Sequence, residues 1–138
     1  MIAVFAVVFV ALFVGHQVAD HWVQTPHQAC DKGLPGWRGR VACVGHVASY
    51  TVTAAVALLV VVWRLDLSLS ISHVVVGLMV SAVSHYWADR RSTLRALVSV
   101  IERLGMPGKL DYYDHGGAYA LDQSWHVVWL FIAALLIA

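Results

Sequence analysis

The chain has 138 residues, 60% of them hydrophobic and only 12% charged, with a formal net charge of +1 at pH 7. That composition excludes an ordinary soluble domain, and the near-neutral balance offers no electrostatic footprint for nucleic acid. A single integral membrane domain, residues 1–138, is the expectation.

A membrane span needs about 20 apolar residues, and with no water in the bilayer core its backbone must be helical. Four stretches qualify, residues 2–24, 41–63, 71–89 and 119–138. The first opens Met1-Ile2-Ala3-Val4-Phe5 without a basic residue, so it reads as a retained span and not as a secretory signal. Near its end stand His16 and Asp20, four residues apart and so one turn apart on one helix face, with Gln24 a further turn on. His21 points about 100° away on a regular helix and falls outside that face.

The first connection carries Lys32, Arg38 and Arg40. His27 and Asp31 are also four apart, but Pro26 and Gly33 flank them and argue against helical stacking. Cys30 and Cys43 match no C-x-x-C motif and are expected unpaired. The second span contributes His46, and its Gly45, Ala48 and Ser49, with Gly15 and Ala19 of the first, suit close helix approach. The third ends in His85-Tyr86-Trp87-Ala88-Asp89, a second copy of the H-x-x-A-D of residues 16–20, followed by Arg90 and Arg91.

Over residues 91–104 the apolar Leu94, Leu97, Val98, Ile101 and Leu104 recur at helical spacing, with Arg91, Arg95, Ser99 and Glu102 on other faces. This predicts an interfacial amphipathic helix, ended by Gly105, Pro107 and Gly108. Residues 109–117 read as a flexible loop whose Tyr112 and Tyr113 cover a cavity mouth, and Gly116 and Gly117 argue against stacking of Asp111 on His115. The fourth span holds the motif reversed, as Asp122, Gln123 and His126. Trp22, Trp63, Trp87 and Trp125 lie near span ends, as an aromatic belt would.

Basic residues set the orientation. Lys32, Arg38 and Arg40 precede the second span, Arg90, Arg91, Arg95, Arg103 and Lys109 precede the fourth, and Arg64 stands alone in the remaining loop. By the positive-inside rule the first and third connections are cytoplasmic and both termini face outward. Spans one and three then run inward and two and four outward, so His16, Asp20, His46, His85, Asp89, Asp122 and His126 share the cytoplasmic end. In each pair the carboxylate is the nearer to the cytoplasm. The fold class is an all-α membrane four-helix bundle of two pseudo-repeated hairpins, residues 1–63 and 64–138, unequal because the second span lacks an acid matching Asp122.

Four imidazoles and three carboxylates at one depth form a metal-ligand inventory of the kind that bundle cores assemble from i, i+4 pairs. Zn²⁺ suits it first and Mn²⁺ or Fe²⁺ as well, with one ion or two. Such an ion lowers the pKa of a bound water toward about 7. Asp122 as general base, with Gln123 and Gln24 orienting ligands or substrate, then gives a metal-dependent hydrolase. Its substrate class is a lipid-linked or phosphoester compound met at the membrane surface. Arg90 and Arg91 could hold an anionic head group, though topology already explains them.

Three other accounts compete. His–Asp hydrogen bonds across helices can hold a bundle together without any metal. A metal or proton transporter or sensor needs polar residues through the outer half as well, where only Ser70, Ser72, His73, Thr51 and Thr53 are available. A non-catalytic membrane adaptor would dock a partner on the helix of residues 91–104. Membrane lipid is a partner in every case, nucleic acid in none, and four short spans are compatible with a homodimer.

The combination of Gly15, His16, Ala19, Asp20 and Gln24, then His46, then Ser84, His85 and Asp89, then Leu121, Asp122, Gln123 and His126 resembles the bacterial membrane family catalogued as domain of unknown function 3307. The resemblance covers nearly the whole chain and implies an integral protein of the bacterial cytoplasmic membrane. Its layout is similar to that of predicted membrane-bound metal-dependent hydrolases.

Overall fold

The computed structural model describes residues 2–138. It is all-α among those residues, in the order α1 (Ile2–Val18), a π-helical turn (Ala19–Val23), α2 (Pro26–Asp31), α3 (Gly36–Arg64), α4 (Ile71–Asp89), α5 (Ser92–Arg103), α6 (Lys109–Tyr112), a second π-helical turn (Tyr113–Gly117) and α7 (Ala118–Ile137). Four segments are long and apolar enough to cross a membrane: Ala3–Val23, Gly36–Arg64, Ile71–Asp89 and Lys109–Ile137.

The most extensive contacts join α1 to α3 and α4 to α7, which are the two hairpins; α1 against α7 and α3 against α4 close the ring. Its core is Val8, Leu12, Tyr50, Ala54, Leu58, Leu130, Ala133, Ala134 and Ile137, while Val52, Leu59, Val75, Met79, Val128 and Phe131 project outward, as lipid contact requires. Small residues set the spacing. A Cβ on Gly15 would lie 2.7 Å from the Ala54 Cα, and one on Gly77 would lie 2.9 Å from the Ala133 carbonyl oxygen, so each hairpin is pinned by a glycine. Gly45 and Ala48, expected at such contacts, are exposed instead, because that face of α3 turns away from the bundle.

Several local expectations need correcting. The helix that carries the second span begins at Gly36, ahead of the apolar stretch 41–63, because its polar first turn continues the helix beyond its apolar part. Residues 26–31 are helical because Thr25 and Gln28 form a capping box: Gln28 N–H donates to Thr25 Oγ1 (3.2 Å) and Thr25 N–H to Gln28 Oε1 (2.9 Å). His27 and Asp31 therefore do stack, Nδ1 to Oδ2 at 3.1 Å, with Arg38 Nε donating to the same oxygen at 2.7 Å.

Residues 109–117 are helical and tied down, not a flexible loop. Leu110 N–H donates to Glu102 Oε2 (2.6 Å), Arg95 pairs with both oxygens of Asp114, and Asp111 meets His115 at 3.0 Å. The helix breaks only at His115 and Gly116, where Gly116 takes φ 111°. Leu94 and Val98 of α5 are buried with Tyr113, and Trp87, Leu110, Leu121 and Trp125 pack around them, so this stripe rests on the bundle rather than facing lipid. Leu104 lies past the helix end and is exposed. Trp87 and Trp125, expected as belt residues, stack on each other at 4.5 Å across the α4–α7 seam.

Candidate metal centre

Each ligand candidate is delivered by helical spacing. His16 ends α1 and Asp20 opens the π turn, His46 sits in α3, His85 and Asp89 close α4, and Asp122 and His126 lie in α7. All seven converge at one end of the bundle. His16, His46, His85, Asp89 and His126 are buried residues, and the Asp20 side chain is 7% exposed; Asp122 is the most open at 23%.

Four donor atoms from three helical segments form the tightest group. His46 Nε2 lies 3.0 Å from His85 Nε2, 3.4 Å from Asp20 Oδ1 and 3.3 Å from Asp89 Oδ2. His85 Nε2 lies 3.6 Å from Asp20 Oδ1 and 3.2 Å from Asp89 Oδ2. Donors about 2.0–2.1 Å from a tetrahedral Zn²⁺ stand about 3.3–3.4 Å from one another, so the separations among His46, His85 and Asp89 are those of ligands to one ion, with Asp20 close to both imidazoles. Asp20 Oδ1 and Asp89 Oδ2 are buried without a hydrogen-bond partner, which is costly for carboxylates unless a cation meets them. His46, His85 and Asp89 could thus hold a metal ion, as could His16 with Asp20 and His85, and Asp89 with Asp122 and His126.

The surrounding groups fix these ligands. His16 Nε2 donates to Gln123 Oε1 (3.3 Å), Gln123 Nε2 donates to Asp122 Oδ2 (3.4 Å), and His16 Nδ1 faces the second oxygen of Asp20 at 3.7 Å. Gln123 therefore joins the first hairpin to Asp122. The His85 ring is held between Tyr50 (ring centroids 4.0 Å apart) and His126 (4.1 Å), and the Tyr50 hydroxyl bonds Ser81 Oγ at 2.5 Å. His126 Nε2 stands 3.5 Å from Asp122 Oδ2 and 3.9 Å from Asp89 Oδ1.

A cavity of about 400 Å³ opens beside the cluster, lined by Asp20, Asp89, Asp122, Gln123, Gln24 and Lys32 among others, and by none of His16, His46, His85 and His126. The carboxylates thus form the floor of the cavity and the imidazoles lie behind them, the vertical order that the reversed motif implied. Gln24 faces the cavity with its Nε2 unpartnered.

Sequence reasoning missed Lys32, Tyr50 and His21. Lys32 Nζ lies 2.7 Å from Asp89 Oδ1 with its side chain only 11% exposed; among other basic residues it read as a topology signal. Tyr50 follows His46 by four residues, the same spacing that flagged the His–Asp pairs. His21 reaches the cavity wall because the π turn resets the helical phase; it bonds Gln17 O and Tyr119 Oη, each at 3.0 Å. Arg90 and Arg91 both bond backbone carbonyls, and Arg91 also lines the cavity. Arg90 donates to the carbonyls of Lys32 and Leu34, both at 2.6 Å, and Arg91 to that of Ala29 at 2.9 Å, clamping α2 and its following turn onto the end of α4.

The model of a family described as "Protein of unknown function (DUF3307)" matches residues 8–138, a region that includes every ligand candidate. The chain belongs to that family. No curated protein and no solved structure matches it.

Proposed function

We propose that this DUF3307 member is a metal-dependent hydrolase of the bacterial cytoplasmic membrane, with its centre at the cytoplasmic face and both termini outside. The observation that carries the reading is the quartet of His46, His85, Asp20 and Asp89 at the floor of a cavity: His46, His85 and Asp89 stand 3.0–3.3 Å apart, as three protein ligands of one ion do, and Asp20 Oδ1 stands 3.4–3.6 Å from both imidazoles. Zn²⁺ is the favoured ion, with Mn²⁺ or Fe²⁺ as alternatives. Once bound, it would supply Lewis acidity and acidify a water.

The chain's own groups supply the rest. Asp122 lies outside the quartet, faces the cavity and is the most open carboxylate, so it is the general base, with Gln123 holding it in place. The attacking water loses a proton to Asp122 as its oxygen bonds to phosphorus or carbonyl carbon. The departing alcohol or amine takes that proton back from the Asp122 carboxyl as its bond breaks. A lipid-linked or phosphoester substrate suits a cavity at the membrane surface whose wall includes Lys32 and Arg91.

Transport is the weaker reading. Beyond the cluster the core is Val8, Leu12, Leu58, Leu130 and Ile137, and Thr51 and Thr53 bond carbonyls of their own helix. Zn-loaded protein in detergent should cleave a panel of phosphomonoester, phosphodiester and amide lipids in at least one class. Asp122→Asn should lose that activity while keeping its metal. Cleavage undiminished in Asp122→Asn, or no cleavage of any class by metal-loaded protein, contradicts the hydrolase reading.

A further inference from the structure

We propose that the centre takes one divalent ion and that Lys32 is its second cation. The inference rests on the metal reading above and concerns how many ions that centre holds. Asp89 presents its two oxygens to different partners: Oδ2 belongs to the quartet with His46 and His85, whereas Oδ1 turns to Lys32 Nζ at 2.7 Å. Close to the same Oδ1 stand His126 Nε2 at 3.9 Å and, 3.5 Å beyond it, Asp122 Oδ2. These three residues have the composition of a second metal position, with Asp89 as the bridging carboxylate.

Charge selects between one ion and two. The ionised carboxylates Asp20, Asp89 and Asp122 carry −3, and one divalent ion with the Lys32 ammonium supplies +3, leaving zero; the exposed Arg91, which also lines the cavity, only adds to the excess that a second ion would bring. With no ion the cluster retains −2, and with two it carries +2, in both cases beside an apolar bundle core where uncompensated charge is costly. A second divalent ion would also have to share Asp89 Oδ1 with an ammonium already in contact with it.

Lys32 is held where it is. Its carbonyl and that of Leu34 accept from Arg90, so the turn after α2 is fixed to α4 and points the lysine side chain inward. Asp122 and His126, left without an ion, remain available for proton transfer, as the general-base assignment requires.

The test is the zinc-to-protein ratio after loading and desalting, measured by elemental analysis on wild type, Lys32→Met and His126→Ala, with folding checked by gel filtration. One zinc per chain in wild type and in His126→Ala, rising to two in Lys32→Met, is the expected result. Two per chain in wild type, falling to one in His126→Ala, overturns the proposal, as does a folded Lys32→Met that stays at one. Should Lys32→Met fail to fold, the wild-type and His126→Ala ratios still decide. A wild-type ratio of zero instead refutes the metal reading itself, so the two failures are distinct.

Discussion

Asp89 and Asp122 are both carboxylates four residues from a histidine, yet they have opposite surroundings. Asp89 is buried with one oxygen in the quartet and the other on Lys32, so Asp89→Asn strands a buried ammonium and removes a ligand. A loss of about 3–5 kcal/mol is expected on chemical denaturation, together with loss of bound metal. Asp122→Asn should cost under about 1 kcal/mol and keep its metal, while lowering hydrolysis by about 10²–10⁴-fold, the usual contribution of a positioned base. Equal stability losses in the two variants would contradict this division of roles. The His–Asp pairs were legible because helical spacing is fixed by backbone geometry. Lys32 was not, because its approach to Asp89 depends on the path of a turn that Arg90 holds, and no local periodicity encodes that path.

Among the helices, close approach decides what the site can be. Gly15 precedes His16 and lies against Ala54, so Gly15→Val would push α1 from α3 and move His16 and Asp20 with it. Overpacking of this kind costs about 1–3 kcal/mol and should also weaken metal binding. Gly45→Val is the control: Gly45 is exposed, with only Gln28 Nε2 near its Cβ position, and thermal melting should show little change. A destabilised Gly45→Val beside an unaffected Gly15→Val would refute the helix packing. The four long helices and the amphipathic pattern of α5 could be read from hydropathy and periodicity. What α5 covers could not, since an apolar stripe looks the same whether it meets lipid or, as here, Tyr113 and the α4–α7 seam. The capping box at Thr25 was present in the sequence, but Pro26 read as a breaker when at the first helical position it is a starter.

For the whole molecule, the bundle is the means by which scattered ligands meet, and metal and fold should therefore be coupled. Stripping the ion leaves three carboxylates against one lysine, so restoring zinc at about 100 times its Kd should stabilise the protein by about 2.7 kcal/mol, seen as a rise in melting temperature. No rise would separate the cluster from the ion. The proposed orientation is checked with Cys30, which is exposed at the cluster end. A membrane-impermeant maleimide should label it in inverted vesicles and not in right-side-out cells; the reverse pattern would place the centre outside. The most direct measurement is X-ray absorption at the zinc edge of loaded protein. Four nitrogen or oxygen donors at about 2.0–2.1 Å, with outer-shell scattering from two imidazoles that falls in His85→Ala, is the predicted result. A shell without imidazole, or a spectrum unchanged in His85→Ala, would contradict a metal centre built on His46, His85, Asp20 and Asp89.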